Sequence, residues 1–401
     1  MKKEVISTLL LASLLGACSS DKHVSTNEIR TVDVRSAMEK ESPFSMKEDV
    51  ESIEYIPLET TDSCLISNTL SLIADDNYIF LANGKTSQVF QFNRKGKFIR
   101  QIGRVGEGPG EYAPYSISEL SLNSSQKEIY LSRRNLPALV YAYDGTFLRA
   151  DTTYKESIGQ RYLLNNGTSI LTGTYLTPKQ NAPWLLALAN NQNELIATKA
   201  VFPPSVPEDM VYMKEVQMSP YGQSAVVFTP CCDTLFRATA SGIQPACIYD
   251  RKNGSEYYTL IADARDLQFN KAEKESTIQL FSFFETTRYF YFRAIKKGSP
   301  DKIYFQRLDK QNGEFLSQSV PQDFIDVSRG FSDRQVIGIP NDIDNGIPFC
   351  PSYAVNDRIC MQIVSAETIA KLKDKGYLKN APKALNIDEL DNPLVIIYHF
   401  R

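Results

Sequence analysis

VFQFNRKGKFIRQIG, from Val89 to Gly103, is a pair of short apolar-polar alternating runs joined by Asn93-Arg94-Lys95-Gly96. Alternation sends successive side chains to opposite faces of a strand, and a polar break with glycine supplies a tight turn. The phrase returns as LVYAYDGTFLRADT from Leu139, WLLALANNQNELIATKAV from Trp184, TLFRATASGIQPACIYD from Thr234 and IYFQRLDKQNGEFLSQ from Ile303. From Gly96 through Gly145, Gln192 and Gly242 to Gly313 the steps are 49, 47, 50 and 71 residues. Hairpins recurring at about 50 residues predict a propeller, each repeat being one four-stranded blade.

Working outward, blade one spans about Leu65 to Gly103, with strands Thr69–Ala74, Tyr78–Ala82, Gln88–Phe92 and Phe98–Ile102. Blade two covers Ile117 to Thr152, blade three Gln160 to Val201 and blade four Val216 to Tyr249. The long step holds a charged insertion, Lys252 to Thr277, with a short helix expected over Asn270 to Gln279. Blade five resumes at Phe281 and blade six near Phe331, the latter interrupted by a short amphipathic helix within Ser365 to Lys375. Val50–Leu58 and Leu394–Arg401 belong to no repeat. Pairing them in the last blade closes the ring and removes its open edges. The fold predicted is all-β: a six-bladed β-propeller closed by its N- and C-terminal strands, with a short helical insertion.

Met1 to Ser20, MKKEVISTLLLASLLGACSS, has two lysines, an apolar stretch too short to span a bilayer and then small residues. Residues 1–17 are expected to be a leader, 18–48 a flexible tether and 49–401 the propeller. The run Leu14-Leu15-Gly16-Ala17-Cys18 resembles a bacterial lipobox, which makes Cys18 the expected lipid attachment point and the membrane the first partner. Ser19 to His23 lack the acidic run that resembles a surface-export tag. That points to the periplasmic face of the outer membrane.

The balance of 44 basic and 47 acidic residues, evenly interspersed, argues against nucleic acid. Only two histidines occur, His23 and His399, so a Ser-His-Asp triad and an HExxH metal site are disfavoured. Beyond Cys18 there are Cys64, Cys231, Cys232, Cys247, Cys350 and Cys360. They form no small-domain framework; the alternatives are a Cys350–Cys360 disulfide across neighbouring strands and, as the favoured state, buried free thiols. A monomer is expected.

Four stretches resemble the six-bladed β-propeller lipoproteins of Gram-negative gut bacteria, distant relatives of NHL-repeat propellers: IEYIPLETTDSCLIS (Ile53–Ser67), FIRQIGRVGEGPGEYAPYSI (Phe98–Ile117), GIPNDIDNGIPFCPSY (Gly338–Tyr353) and DNPLVIIYHF (Asp391–Phe400). The resemblance implies the fold and the lipidation and little about activity.

The candidate contacts follow from residue type. Gly103 to Gly110 lacks the Lys-Ser/Thr ending of a phosphate loop and reads as a turn between blades. Asp342-Ile343-Asp344-Asn345-Gly346 breaks the calcium-loop spacing, yet Asp342, Asp344 and Asn345 remain rim candidates for a ligand or, at most, a calcium ion. Arg133, Arg134 and Arg288, the last beside Tyr289 and Tyr291, offer cations and aromatics to a glycan or carboxylate. No catalytic set and no cofactor is expected. The reading is a non-catalytic binding or scaffolding module for a glycan, a peptide or an envelope protein. A divalent-metal lactonase or lyase is the alternative.

Overall fold

The computed structural model describes residues 29–133, 136–154, 158–173, 175–176, 184–199, 212–213, 216–228, 232–252, 278–296, 302–326, 335–379 and 381–401. Six sheets stand in a ring, five of four strands and one, in blade four, of five. Blade one is Thr69–Ala74, Tyr78–Asn83, Val89–Asn93 and Phe98–Ile102, hydrogen-bonded in sequence order. Blade two runs from Ile117–Asn123 to Phe147–Asp151, blade three from Ile158–Leu163 to Leu195–Lys199 and blade four from Gln217–Tyr221 to Gly242–Asp250. Blade five runs from Ile278–Glu285 to Phe315–Ser319. The phrase that recurs in the sequence is the third and fourth strand of each of these blades.

Burial explains why the third strands read so clearly. A third strand such as Val89–Asn93 packs against a blade on either side and is buried almost throughout, whereas the outermost Phe98–Ile102 is half exposed. Apolar clusters fill the seams between blades one and two, three and four, four and five, and five and six. First strands face the central axis and are stapled to one another by buried serines. Ser71 Oγ accepts from Leu120 N at 3.3 Å, Ser121 Oγ from Arg161 N at 3.0 Å and Ser219 Oγ from Glu285 N at 2.9 Å. Each bond crosses a seam where a backbone N–H would otherwise be buried unpaired.

Blade six is assembled from both ends of the chain. Tyr353–Asn356, Ile359–Val364 and Leu394–Phe400 form its first three strands, and Val50–Pro57 adds antiparallel as the fourth, with Ile53 opposite Tyr398. The expected closure is therefore present. The blade begins later than the sequence suggested: Gln335–Val336 pairs instead with Ile325–Asp326, and a loop leads from there to Tyr353. Between the second and third strands stands helix Ala366–Asp374, capped by Ser365 and burying Ile369 and Leu372. The insertion helix expected over Asn270 to Gln279 lies outside the described residues apart from Ile278 and Gln279, which open a strand.

The segment expected as a tether is folded from Arg30 onward. Arg30–Asp33 adds parallel to the outer strand of blade four, with Thr31 opposite Ile248. Helix Val34–Lys40 follows, its Asp33 cap accepting from Ser36 N at 3.0 Å. Ser42 N then bonds Ser317 O at 2.6 Å on the edge of blade five. The physical reason is a sparse set of apolar residues, Val32, Val34, Met38 and Met46, all buried.

Candidate functional site

The residues singled out from sequence do not converge. Asp342 Oδ1 accepts from Met46 N at 3.2 Å and its Oδ2 from Ser45 Oγ, so this carboxylate holds the N-terminal segment. Asp344 accepts from Tyr55 Oη at 3.0 Å, Asn341 Nδ2 at 2.8 Å and Gly346 N at 2.9 Å, and exposed Asn345 turns the chain at φ 56°. Arg133 donates from Nε to Pro137 O at 2.8 Å within blade two. Arg134 and Cys18 lie outside the described residues. Arg288 pairs with Asp309 at 2.8 Å and covers the Tyr289 ring at 4.9 Å, on blade five. Among the described residues no group of three or more His, Cys, Asp or Glu is placed to hold a metal ion. Cys64, Cys232, Cys247, Cys350 and Cys360 are free thiols, and burial pushes that of Cys247 up to about 12.

Among the described residues, a cavity with the features of a binding site lies between blades two and three, on the rim that carries the first and third turns of each blade. Its volume is about 320 Å³, within the range of small-molecule sites. Asn123 and Gln126 reach it from the first turn of blade two, and Asn191 and Asn193 from the third turn of blade three. The floor is ionic. Arg149, on the outermost strand of blade two, reaches over the third strand to bond Glu128 on the second through Nη1 at 2.7 Å and Nη2 at 3.0 Å, a bidentate fork. Arg161 donates from Nη2 to Asp151 at 2.5 Å and lies over the Tyr130 ring at 4.5 Å.

The electrostatics follow from these pairs. The Arg149 hydrogen bonds hold the Glu128 carboxyl below the usual carboxylate range, against the opposing effect of burial. Glu128 is therefore an anion at neutral pH rather than a proton donor. Two buried polar atoms beside the cavity have no hydrogen-bond partner, Arg161 Nε and Tyr154 Oη.

Nearer the axis on the same rim, Glu285 Oε1 accepts from Lys310 at 2.8 Å and Arg237 at 2.6 Å. Both cations lie over the Tyr221 ring, at 4.4 and 5.1 Å. Burial lowers the Lys310 pKa. This cluster knits blades four and five and is saturated by its own contacts, apart from Glu285 Oε2.

The site residues escaped the sequence reading for a definite reason. Arg149, Arg161, Glu128 and Asp151 each sit in an ordinary strand position; the sheet of blade two brings Arg149 to Glu128, and the seam brings Arg161 to Asp151. One faint signal was available: Arg149-Ala150-Asp151 places charges where an outer strand alternates towards its neighbour.

Residues 29–399 match the family model described as a domain of unknown function, DUF4934. The chain belongs to this family. Among solved structures, this DUF4934 chain is similar to a protein from Bacteroides fragilis described as exported, at 18% identity and a TM-score of 0.64, over 90% of this chain and 98% of that one. A DUF4221 family member from Bacteroides vulgatus gives 12% identity and a TM-score of 0.44, covering 88% and 99%. Virginiamycin B lyase from Staphylococcus aureus gives 11% and 0.37, covering 67% and 74%. The first of these supports the fold. A search of curated proteins finds no match.

Proposed function

We propose that this DUF4934 propeller is a non-catalytic binding module of the cell envelope that holds a small polar ligand in the cavity between blades two and three. The observation that carries the reading is a cavity of about 320 Å³ lined by the polar side chains of Asn123, Gln126, Thr153, Ser169, Asn191 and Asn193. A rigid ring favours such a role, because strands on both sides fix the lining before the ligand arrives and little ordering remains to oppose binding.

The reading includes export and lipid attachment at Cys18, with the periplasmic face of the outer membrane as the location. The leader-like start supports this, and no described helix is long and apolar enough to cross a membrane. The family resemblance to lipoproteins with NHL-like repeats points the same way.

Two experiments test the proposal. Thermal-shift screening of the purified protein against sugars, peptides and amino acids should give stabilising hits that weaken in Arg161→Lys. Hits that leave this variant unaffected would move the site elsewhere. Mass spectrometry of the membrane fraction should find a lipidated Cys18 as the first residue, and Cys18→Ser should release the protein to the soluble fraction. An unmodified mature terminus would end the anchoring claim.

A further inference from the structure

We infer that the ligand of this cavity is a neutral saccharide unit, recognised by hydrogen bonds to its hydroxyls rather than by stacking on an aromatic ring. The inference rests on the binding reading above and adds the chemical class.

Charge is the first argument. The floor carries two guanidinium groups and two carboxylates, each cation already joined to an anion. An acidic ligand would meet Asp151 at close range, and a cationic one would meet Arg149 and Arg161. A neutral ligand incurs neither repulsion.

Hydrogen-bonding capacity is the second. Among the described residues, the side chains of Asn191, Asn193, Thr153 and Ser169 make no hydrogen bond, although all four line the cavity. Amides and hydroxyls both donate and accept, which is what a vicinal pair of sugar hydroxyls requires. Apolar lining is confined largely to Leu122 and Leu163, too little to hold a hydrophobic peptide side chain.

The third argument decides the mode. Tyr130 is the aromatic residue of the lining, and it is only 6% exposed because Arg161 covers its ring at 4.5 Å. No open ring face is left for a sugar. Recognition by hydrogen bonds alone reads the configuration of each hydroxyl, because a misplaced one leaves a partly desolvated protein group unpaired.

The test uses the purified protein with neutral mono- and disaccharides, the matching uronic acids, and di- and tripeptides, followed by saturation-transfer NMR and calorimetry. At least one neutral sugar should bind saturably, its uronate and its epimers about tenfold more weakly. Asn191→Ala should lower affinity by about threefold to tenfold, as expected for a lost hydrogen bond. It lies on an exposed turn, so folding should survive, and circular dichroism checks that. Uronates or peptides binding in place of neutral sugars, with sensitivity to Asn191→Ala, would overturn the saccharide inference and leave the binding site intact. Equal affinity for all epimers would overturn recognition by hydroxyl configuration. No binding by any probe would remove both readings.

Discussion

Arg307, on the third strand of blade five, donates from Nη1 to the Asp49 carboxylate at 2.7 Å, one residue before the strand that closes the ring. The pair is almost completely buried, with side-chain exposures of 9% and 1%. Tyr291 Oη also donates to Asp49, and Arg307 covers the rings of Phe44 and Tyr289 at 4.8 and 4.6 Å. The entry to the closing strand is thus fixed by a charge pair within an aromatic cage. Removing one partner leaves the other charge buried and uncompensated. Asp49→Ala is expected to lower unfolding free energy by about 3–5 kcal/mol in urea titrations. The double variant with Arg307→Met should recover part of that loss; an additive double would show that the two residues do not interact.

Glu128 gives the propeller a defined acid response. Its carboxyl is held below the ordinary value of 4.5, chiefly by the hydrogen bonds from Arg149. A group depressed on folding contributes stability that is complete above its unfolded pKa and is lost as pH falls through the folded one. The melting temperature of the wild type should therefore decline more steeply below about pH 4.5 than that of Glu128→Gln. Between pH 6 and 8 (roughly two units above that value) the gap between the two should stay constant. A gap that widens with rising pH in that interval would contradict the assignment.

Glu285 makes a complementary case near the axis. Its side chain is 1% exposed and neutralises Lys310 and Arg237, each 21% exposed. Glu285→Ala strands two cations at once and should cost about 3 kcal/mol or more in chemical denaturation. Sugar affinity in the seam between blades two and three should be unchanged, because neither cation lines that cavity. A parallel loss of binding and stability would mean that the two regions are coupled through the ring.

Much of the architecture was legible because repetition amplifies a weak local signal. A single hairpin such as Val89–Ile102 is ambiguous, but four hairpins at similar spacing and a fifth beyond an insertion are not, and the spare terminal strands then had one sensible use. What stayed hidden depended on context. Arg30–Asp33 is four residues with one buried side chain, and its strand character comes from the free edge of blade four. The acidic Asp342 loop looked like a ligand site because carboxylates were counted without their donors, Met46, Tyr55 and Asn341 among them. The cavity was hidden more thoroughly, since Arg161 and Asp151 belong to different blades and meet only when the seam forms.

The glycine-rich segment after blade one permits a sharper test, because its structural and ligand-binding readings predict different losses. Gly103 adopts φ 61°, and a Cβ there would stand 2.5 Å from Tyr141 Oη and 2.8 Å from Cζ. Glu111 closes the loop by accepting from Gly108 N at 2.8 Å and from Arg104. Gly103→Ala meets both a left-handed backbone and a fixed aromatic ring, so it should destabilise by more than about 1 kcal/mol. Gly84→Ala is the matched control: its nearest neighbours would be 3.5 Å away and its φ is not left-handed, so a change within about 0.5 kcal/mol is expected. Trimming the ring edge with Tyr141→Phe should not rescue Gly103→Ala, since the Cζ contact persists. If Gly103→Ala instead melted like the wild type while phosphate or nucleotide binding disappeared, the segment would be an anion loop and the turn reading would fail.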